Sequence, residues 1–342
     1  MMPTPEIPLL SVSGLSKTYK GKHTLADRLS GRKQTEVQAV SDVSFDVRPG
    51  EILGLIGESG CGKSTLGRSI LRLHEPSAGK VTFDGVDVTG LKTAEMKAMR
   101  RRMQIIFQDP YASLNPRRTV SEIVGLPLKL HGLARNGAEM RDIVAAIVEK
   151  VGLKTGHLDR YPHQFSGGQR QRIGIARALV SNPDFIVCDE PVSALDVSIQ
   201  AQIIQLLTDL KQEMGLTYLF ISHDISVIGY LSDRVAVMYL GEIVEMGPVE
   251  SILAKPRHPY TQSLMSAVPE VDASGPKHRV RLTGDLPSPM SPPSGCKFHT
   301  RCPLATDICR REAPRTERVG AGHRAACHRL DEELSLLDMV PA

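Results

Sequence analysis

An α/β fold with a mostly parallel sheet is what this chain predicts, and three observations predict it. The apolar stretch "EILGLIG" (51–57) runs into a glycine-rich loop and then into "KSTLGRSILRL" (63–73), whose apolar spacing fits a helix. Further on, the strand-like runs "DFIVCD" (184–189) and "TYLFIS" (217–222) alternate with the helical patterns "GQRQRIGIARALV" (168–180) and "SIQAQIIQLLTDLKQEMG" (198–215). That βαβ alternation argues for parallel strands covered by helices. Between the two blocks, from about 92 to 165, apolar residues recur at three- and four-residue spacing, as in "RDIVAAIVEKVGL" (141–153), which predicts an inserted helical subdomain.

The remaining elements follow in order. "LLSV" (9–12) and "AVSDVSFDV" (39–47) read as strands of an N-terminal antiparallel β region, separated by a polar loop insertion at 20–36. "RVAVMYLGEIVEMG" (234–247) reads as a β-ribbon. Near Pro256 the composition shifts, and "LPSPMSPPSG" (286–295) is proline-rich enough to break regular structure. The expected division is therefore a domain over 1–255, with its helical subdomain at about 92–180, and a small cysteine-containing appendage over 256–342. The sequence shows no internal repeat.

With 342 residues, 41% apolar and 23% charged, the chain has the composition of one large or two modest globular domains. Its 42 basic and 38 acidic residues leave a net charge of +4, too little to demand a nucleic-acid partner. The basic run "MRRRMQ" (99–104) reads first as a solvated helix face. No apolar run reaches the roughly 18–20 residues of a membrane span, and "MMPTPEIPLL" lacks the layout of a signal peptide. The chain is expected on the cytoplasmic side, where cysteines stay reduced.

"GESGCGKST" (57–65) places Gly57, four residues, then Gly62, Lys63 and Ser64 between a strand and a helix. In this phosphate-loop pattern the glycines let backbone N–H groups turn inward, the lysine supplies a point charge and the serine hydroxyl reaches Mg²⁺. "FIVCDEP" (185–191) ends an apolar strand in paired acids, at the carboxyl end where open α/β sheets bind ligands. Asp189 suits Mg²⁺, and Glu190 suits the water that attacks a γ-phosphate. Ser166, Gly167 and Gly168 start a long amphipathic helix and form a second anion site. With one phosphate loop per chain, that second surface points to a neighbour's nucleotide.

Together "SGGQ" (166–169), "DEPVSALD" (189–196) and "ISHD" (221–224) resemble the ATP-binding subunits of ABC transporters. The resemblance implies that Gly57, Ser59, Gly60, Cys61, Gly62, Lys63, Ser64 and Thr65 hold ATP, with Tyr19 of "LSKTYK" stacking on adenine. It implies Mg²⁺ bound through Ser64, Gln108 and Asp189, and hydrolysis by Glu190 with Gln108 and His223 as its helpers. It also implies that Ser166, Gly167, Gly168, Gln169 and Asp196 act in trans on a second subunit's ATP. Phe165 stands where a leucine is most frequent in the family, and Cys188 occupies an apolar strand position; neither removes a group the chemistry needs.

The segments "QDPYASLNPR" (108–117), "HPYTQSLMSAVP" (258–269) and "LPSPMSPPSGCKFHTRCP" (286–303) are similar to the ATPase subunits of oligopeptide and dipeptide importers, the dipeptide type especially. This implies a peripheral ATPase at the cytoplasmic face of the membrane. Its partners would be two permease subunits, a second ATPase that is a paralogue or a copy of itself, and indirectly an extracytoplasmic binding protein. Nickel, glutathione or oligosaccharides are the alternative cargoes. A soluble ABC ATPase acting on nucleic acid or ribosomes is the rival reading, against which the chain shows neither two ATPase halves nor a long coiled-coil insertion.

Four of the six cysteines, Cys296, Cys302, Cys309 and Cys327, fall near the end of the chain. Their spacing fits neither the tight pairs of common zinc modules nor ferredoxins. Four cytosolic thiols in a small proline-broken segment favour a metal staple. In some members of the importer family this pattern is associated with a [4Fe–4S] cluster; zinc and four unbound thiols are the alternatives.

Overall fold

The structure, a computed structural model, describes residues 7–21, 34–266, 282 and 284–331. Residues 22–33 of the expected loop insertion and 267–269 of "HPYTQSLMSAVP" lie outside the described residues. The chain divides into two units: the first takes in the N-terminus to Leu10, Asp46–Ile52 and Thr82–Ser222, the second Ser11–Phe45, Leu53–Val81 and His223–Ala342.

In the first unit the strands Met103–Ile106, Phe185–Asp189 and Thr217–Ile221 run parallel, with Phe185–Asp189 in the middle. All five residues of each of the latter two strands are buried, the mark of a parallel sheet covered on both faces. The expected helices are present as Gly167–Leu179 and Val197–Met214.

The region from 92 supplies the helices Thr93–Arg102, Val120–His131 and Gly137–Lys150. Val120–His131 packs against both Gly137–Lys150 and Gly167–Leu179. Its start is written locally as a capping box: Glu122 N–H donates to Thr119 Oγ1 at 3.3 Å, and Thr119 N–H to the Glu122 carboxylate at 2.8 Å. Gly132, at φ 64°, closes it in the left-handed region. The basic run at 99–104 ends one helix and begins a strand. Its Arg100 and Arg101 are exposed, while Arg102 bonds to both Asp84 and Asp184.

The strand Leu10–Lys20, all but its first residue in the second unit, lies between Glu36–Val47 and Ala78–Phe83 in one sheet. In another, Ile52–Ile56 pairs in parallel with Arg234–Tyr239. That strand turns through Leu240 (φ 42°) and Gly241 (φ 86°) into antiparallel Glu242–Pro248, a two-residue loop whose paired positive φ values match the twist of the strands it joins. The sequence reading missed what comes next. His323–Ala326 pairs with Glu242–Pro248, and Thr316–Gly320 pairs with His323–Ala326, so the appendage extends the sheet.

Glu245, 1% exposed, pins this junction. Its carboxylate accepts from the N–H groups of Arg257 at 2.7 Å and His258 at 2.8 Å, and lies 2.8 Å from His323 Nε2. Three partners meet the demand that a buried charge be hydrogen-bonded. His258 is also buried, and its Nδ1 accepts from Tyr260 N–H at 3.1 Å. Burial pushes its pKa down to about 4, with Glu245 pulling the other way.

A folded pKa below the unfolded one means that the unfolded chain binds the extra proton first, so stability is present above about pH 6.5 and lost as pH falls toward 4. A His258→Asn variant, which keeps an acceptor but does not titrate, is expected to flatten the fall in urea-unfolding free energy over that window by up to about 3 kcal/mol. Identical pH profiles for variant and parent would refute the neutral, buried His258.

Candidate functional site

The phosphate-loop pattern of the sequence is a loop of left-handed glycines in the second unit. Gly57 has φ 154° and Gly62, the N-cap of the helix Lys63–Ile70, has φ 110°. A Cβ on Gly57 would stand 2.2 Å from the Met238 carbonyl oxygen, and one on Gly62 would stand 2.1 Å from that of Ala39. Only glycine fits either place. Lys63 is 4% exposed, and its ammonium donates to the carbonyls of Gly57 at 2.7 Å and Glu58 at 3.1 Å. The charge and the helix N-terminus together make the loop an anion site.

Ser59 and Gly60 are exposed, and Ser64 and Thr65 are half-buried. Cys61 is buried, and burial pushes its thiol up while Lys63 opposes the shift. It behaves as a small apolar side chain rather than a reactive one.

The first unit holds the acids. Asp189 is the last residue of its strand and is fully buried. Glu190 follows at φ 47°, a region that side chains other than glycine occupy at a cost and that recurs at functional sites. Its N–H donates to the Ile221 carbonyl at 3.1 Å, and its carboxylate accepts from Gln108 Nε2 at 2.9 Å. The structure thus brings Gln108 and Glu190, 82 positions apart, into direct contact.

Ser166 is exposed and N-caps the helix Gly167–Leu179. It takes the Gln169 N–H on its hydroxyl at 3.3 Å and gives its own N–H to Gln169 Oε1 at 3.1 Å. Gly168 is buried, and a Cβ there would lie 2.5 Å from Ile199, so packing calls for glycine. Asp196 is exposed at the N-cap of Val197–Met214. In the second unit the Tyr19 ring meets His74 edge-on at 5.8 Å with Lys17 Nζ at 4.9 Å, and His223 is exposed.

The four late cysteines line one small cavity, walled by Phe298 and Leu304. Burial pushes the Cys296 thiol up to about 12 and Cys302 to about 11, and also raises Cys327, with neighbouring cysteines adding to each shift. Burial thus favours the neutral thiol at Cys296, Cys302 and Cys327. Among the described residues no group of three or more His, Cys, Asp or Glu side chains is arranged to hold a metal ion. The expected cluster or zinc ion therefore finds a shared cavity but no preformed coordination geometry.

Glu58, Tyr260 and Arg301 went unnoticed in the sequence, and all three meet at the phosphate loop: Tyr260 Oη accepts from Glu58 N–H at 2.8 Å, and the Arg301 guanidinium donates to both Glu58 oxygens. No spacing in the sequence joins positions more than 200 apart.

Residues 40–193 match the ABC transporter family, and residues 244–309 match the oligopeptide/dipeptide transporter C-terminal region. A putative peptide import ATP-binding protein of Brucella ovis is 52% identical over 95% of this chain and 98% of its own. The oligopeptide transport ATP-binding protein AppF of Bacillus subtilis is 50% identical over 87% of this chain and 91% of its own. The chain belongs to the ABC transporter ATP-binding subunits of the oligopeptide/dipeptide type.

Among solved structures, the ATP-binding cassette MJ0796, a dimer in a post-hydrolysis state with ADP and Pi, superposes with a TM-score of 0.62 at 31% identity. The match covers 70% of this chain and 98% of that one. The ABC subunit is accordingly an ATPase coupled to transport, with ATP and Mg²⁺ as its expected ligands. No helix among its described residues is long and apolar enough to cross a membrane.

In this ABC subunit a Gly62→Ala change sets a Cβ against a backbone carbonyl at positive φ. It is expected to cost about 2–4 kcal/mol of folding free energy. A denaturant midpoint equal to that of the parent would show that the loop does not need glycine there.

Proposed function

We propose that this ABC ATPase powers uptake of di- and oligopeptides across the cytoplasmic membrane, docked at its inner face on two permease subunits and paired head to tail with a second ATPase, a paralogue or a copy. Residues 1–255 act as the nucleotide-binding domain and 256–342 as the appendage. The observation that carries the catalytic part is the Gln108–Glu190 contact at the end of the strand, with Glu190 held at positive φ.

In this reading Lys63 and the glycine amides bind the ATP phosphates, and Ser59, Gly60 and Thr65 line the same loop. Ser64, Gln108 and Asp189 hold Mg²⁺, which when bound neutralises charge developing on the phosphoryl oxygens. Glu190 takes the proton of the attacking water while Gln108 orients it, and His223 contacts the γ-phosphate. Ser166, Gly167, Gly168, Gln169 and Asp196 meet the partner's nucleotide. ATP does mechanical work because it binds the closed pair more tightly than the open one; a ligand shifts an equilibrium only by such a difference.

A Glu190→Gln variant, reconstituted with its permeases in proteoliposomes, is expected to bind ATP normally. It should lose roughly 10²–10⁴-fold of its hydrolysis and all ATP-driven uptake of labelled peptide. Steady-state hydrolysis equal to the parent's would remove Glu190 as the base, and ATPase activity stimulated by nickel or glutathione but not peptide would change the cargo.

The cysteine cavity belongs to the same proposal. Its soft sulfur donors and apolar walls suit an iron–sulfur group better than a hard cation, with Cys296, Cys302, Cys309 and Cys327 as ligands. Such a group, if bound, would be held by the thiolates of these four cysteines, so its binding would depend on pH. Anaerobically purified protein is expected to be coloured and to contain stoichiometric iron and sulfide. Colourless protein, whether zinc-loaded or metal-free, would exclude the cluster.

A further inference from the structure

Arg301 sits in the turn between two of the cavity cysteines. Its N–H donates to the Phe298 carbonyl at 3.0 Å, Cys296 N–H reaches the Cys309 carbonyl at 2.8 Å, and Ala305 N–H reaches the Cys302 carbonyl at 3.2 Å. The Arg301 side chain is 8% exposed and reaches Glu58, with Nη1 at 2.7 Å and Nη2 at 3.0 Å from the two carboxylate oxygens. This is the two-pronged geometry that gives arginine its strongest and most directional pairing.

The guanidinium is wedged in place. It lies 5.9 Å from the centroid of Tyr239, which meets Tyr260 at 4.8 Å and Phe298 at 5.2 Å, both edge-on. All three rings are under 2% exposed.

Glu58 is the second residue of the phosphate loop. It is gripped at its carboxylate by Arg301, at its N–H by Tyr260 Oη, and at its carbonyl by the Lys63 ammonium. A loop built on left-handed glycines has many conformations to lose on ordering, and a ligand that must order it binds more weakly by that cost.

We propose that Arg301, with Tyr260 supporting it, is a positioning residue for ATP: by clamping Glu58 it holds the phosphate loop in its binding shape, so the cysteine-lined segment sets nucleotide affinity without touching the nucleotide. The inference rests on the loop binding ATP. It gives the appendage a role inside the ATPase cycle, whatever occupies the cysteine cavity.

The test uses the full chain with its cavity as purified, and trinitrophenyl-ATP with Mg²⁺ as the probe. Glu58→Gln changes a side chain that is 27% exposed and keeps its size; Arg301→Lys keeps charge but not the fork. Each is expected to weaken probe binding roughly 10-fold, as loss of a charge-assisted pair does. In ATPase assays of the reconstituted transporter, KM for ATP should rise while kcat stays near the parent value.

The double variant is expected to bind no more weakly than the worse single one, because both changes break one interaction. Amide exchange at residues 57–63 should speed up in all three, with melting temperature lowered by no more than a few degrees. Parent-like affinity in both single variants overturns the proposal. So does a loss of affinity in the double variant equal to the product of the single losses, which means that the two residues act independently. Wild-type protein that binds no trinitrophenyl-ATP overturns the nucleotide reading itself, and this inference with it.

Discussion

A phosphate loop has to hold backbone N–H groups turned inward, and no helix or strand does that for it. The required φ values of 154° at Gly57 and 110° at Gly62 select the residue that loses most freedom on folding. Its order must therefore come from the surroundings. Carbonyls of Ala39 and Met238 press on the two glycines, the Lys63 ammonium ties the loop's own carbonyls together, and Tyr260 and Arg301 hold Glu58 from the far end of the chain. These contacts together hold the loop in one shape.

That arrangement explains how a proline-broken appendage with little apolar periodicity is ordered. It does not build a core alone. Its strand His323–Ala326 lengthens a sheet that already exists, and its Phe298 joins the ring cluster of Tyr239 and Tyr260. The charged junction at Glu245 then fixes one register, since a buried carboxylate with partners on Arg257, His258 and His323 is costly in any other alignment. Lys297 adds a tether, reaching Ser41 Oγ at 3.2 Å, the Leu240 carbonyl at 3.1 Å and Glu242 at 2.9 Å. In a chain with seven tyrosines, seven phenylalanines and no tryptophan, placing three rings here concentrates the large apolar surfaces where a loop must be stiff.

What the sequence revealed and what it hid divide along physical lines. The parallel strands Phe185–Asp189 and Thr217–Ile221 and the helices after Ser166 and Asp196 were legible because period and capping are local signals. The loop at 57–65 was legible for a different reason: its glycines and lysine are dictated by one chemical task. The strands Thr316–Gly320 and His323–Ala326 were not, because "TERVG" and "HRAA" carry no alternating apolar pattern and pair only on a preformed edge. The Arg301–Glu58 clamp was invisible, since long-range juxtaposition leaves no mark on spacing; Gln108 and Glu190 were brought to one site by the family resemblance, not by any spacing. The cysteines were conspicuous as a composition anomaly and were expected at one site; the structure lines one cavity with all four.

Glu58 and Glu190 are held in opposite ways. Glu58 is locked by a full charge in a fork, which suits a group whose task is to stay still. A cation in that geometry fixes the carboxylate by two parallel hydrogen bonds. Glu190 is met by the neutral amide of Gln108 and by backbone strain at φ 47°. An amide fixes the direction of the carboxylate without adding an opposing charge. The strain has the same logic, since a backbone held in a costly conformation restricts where the carboxyl group can go. An amide and a strained backbone thus aim the Glu190 carboxylate, whereas a guanidinium fork immobilises that of Glu58.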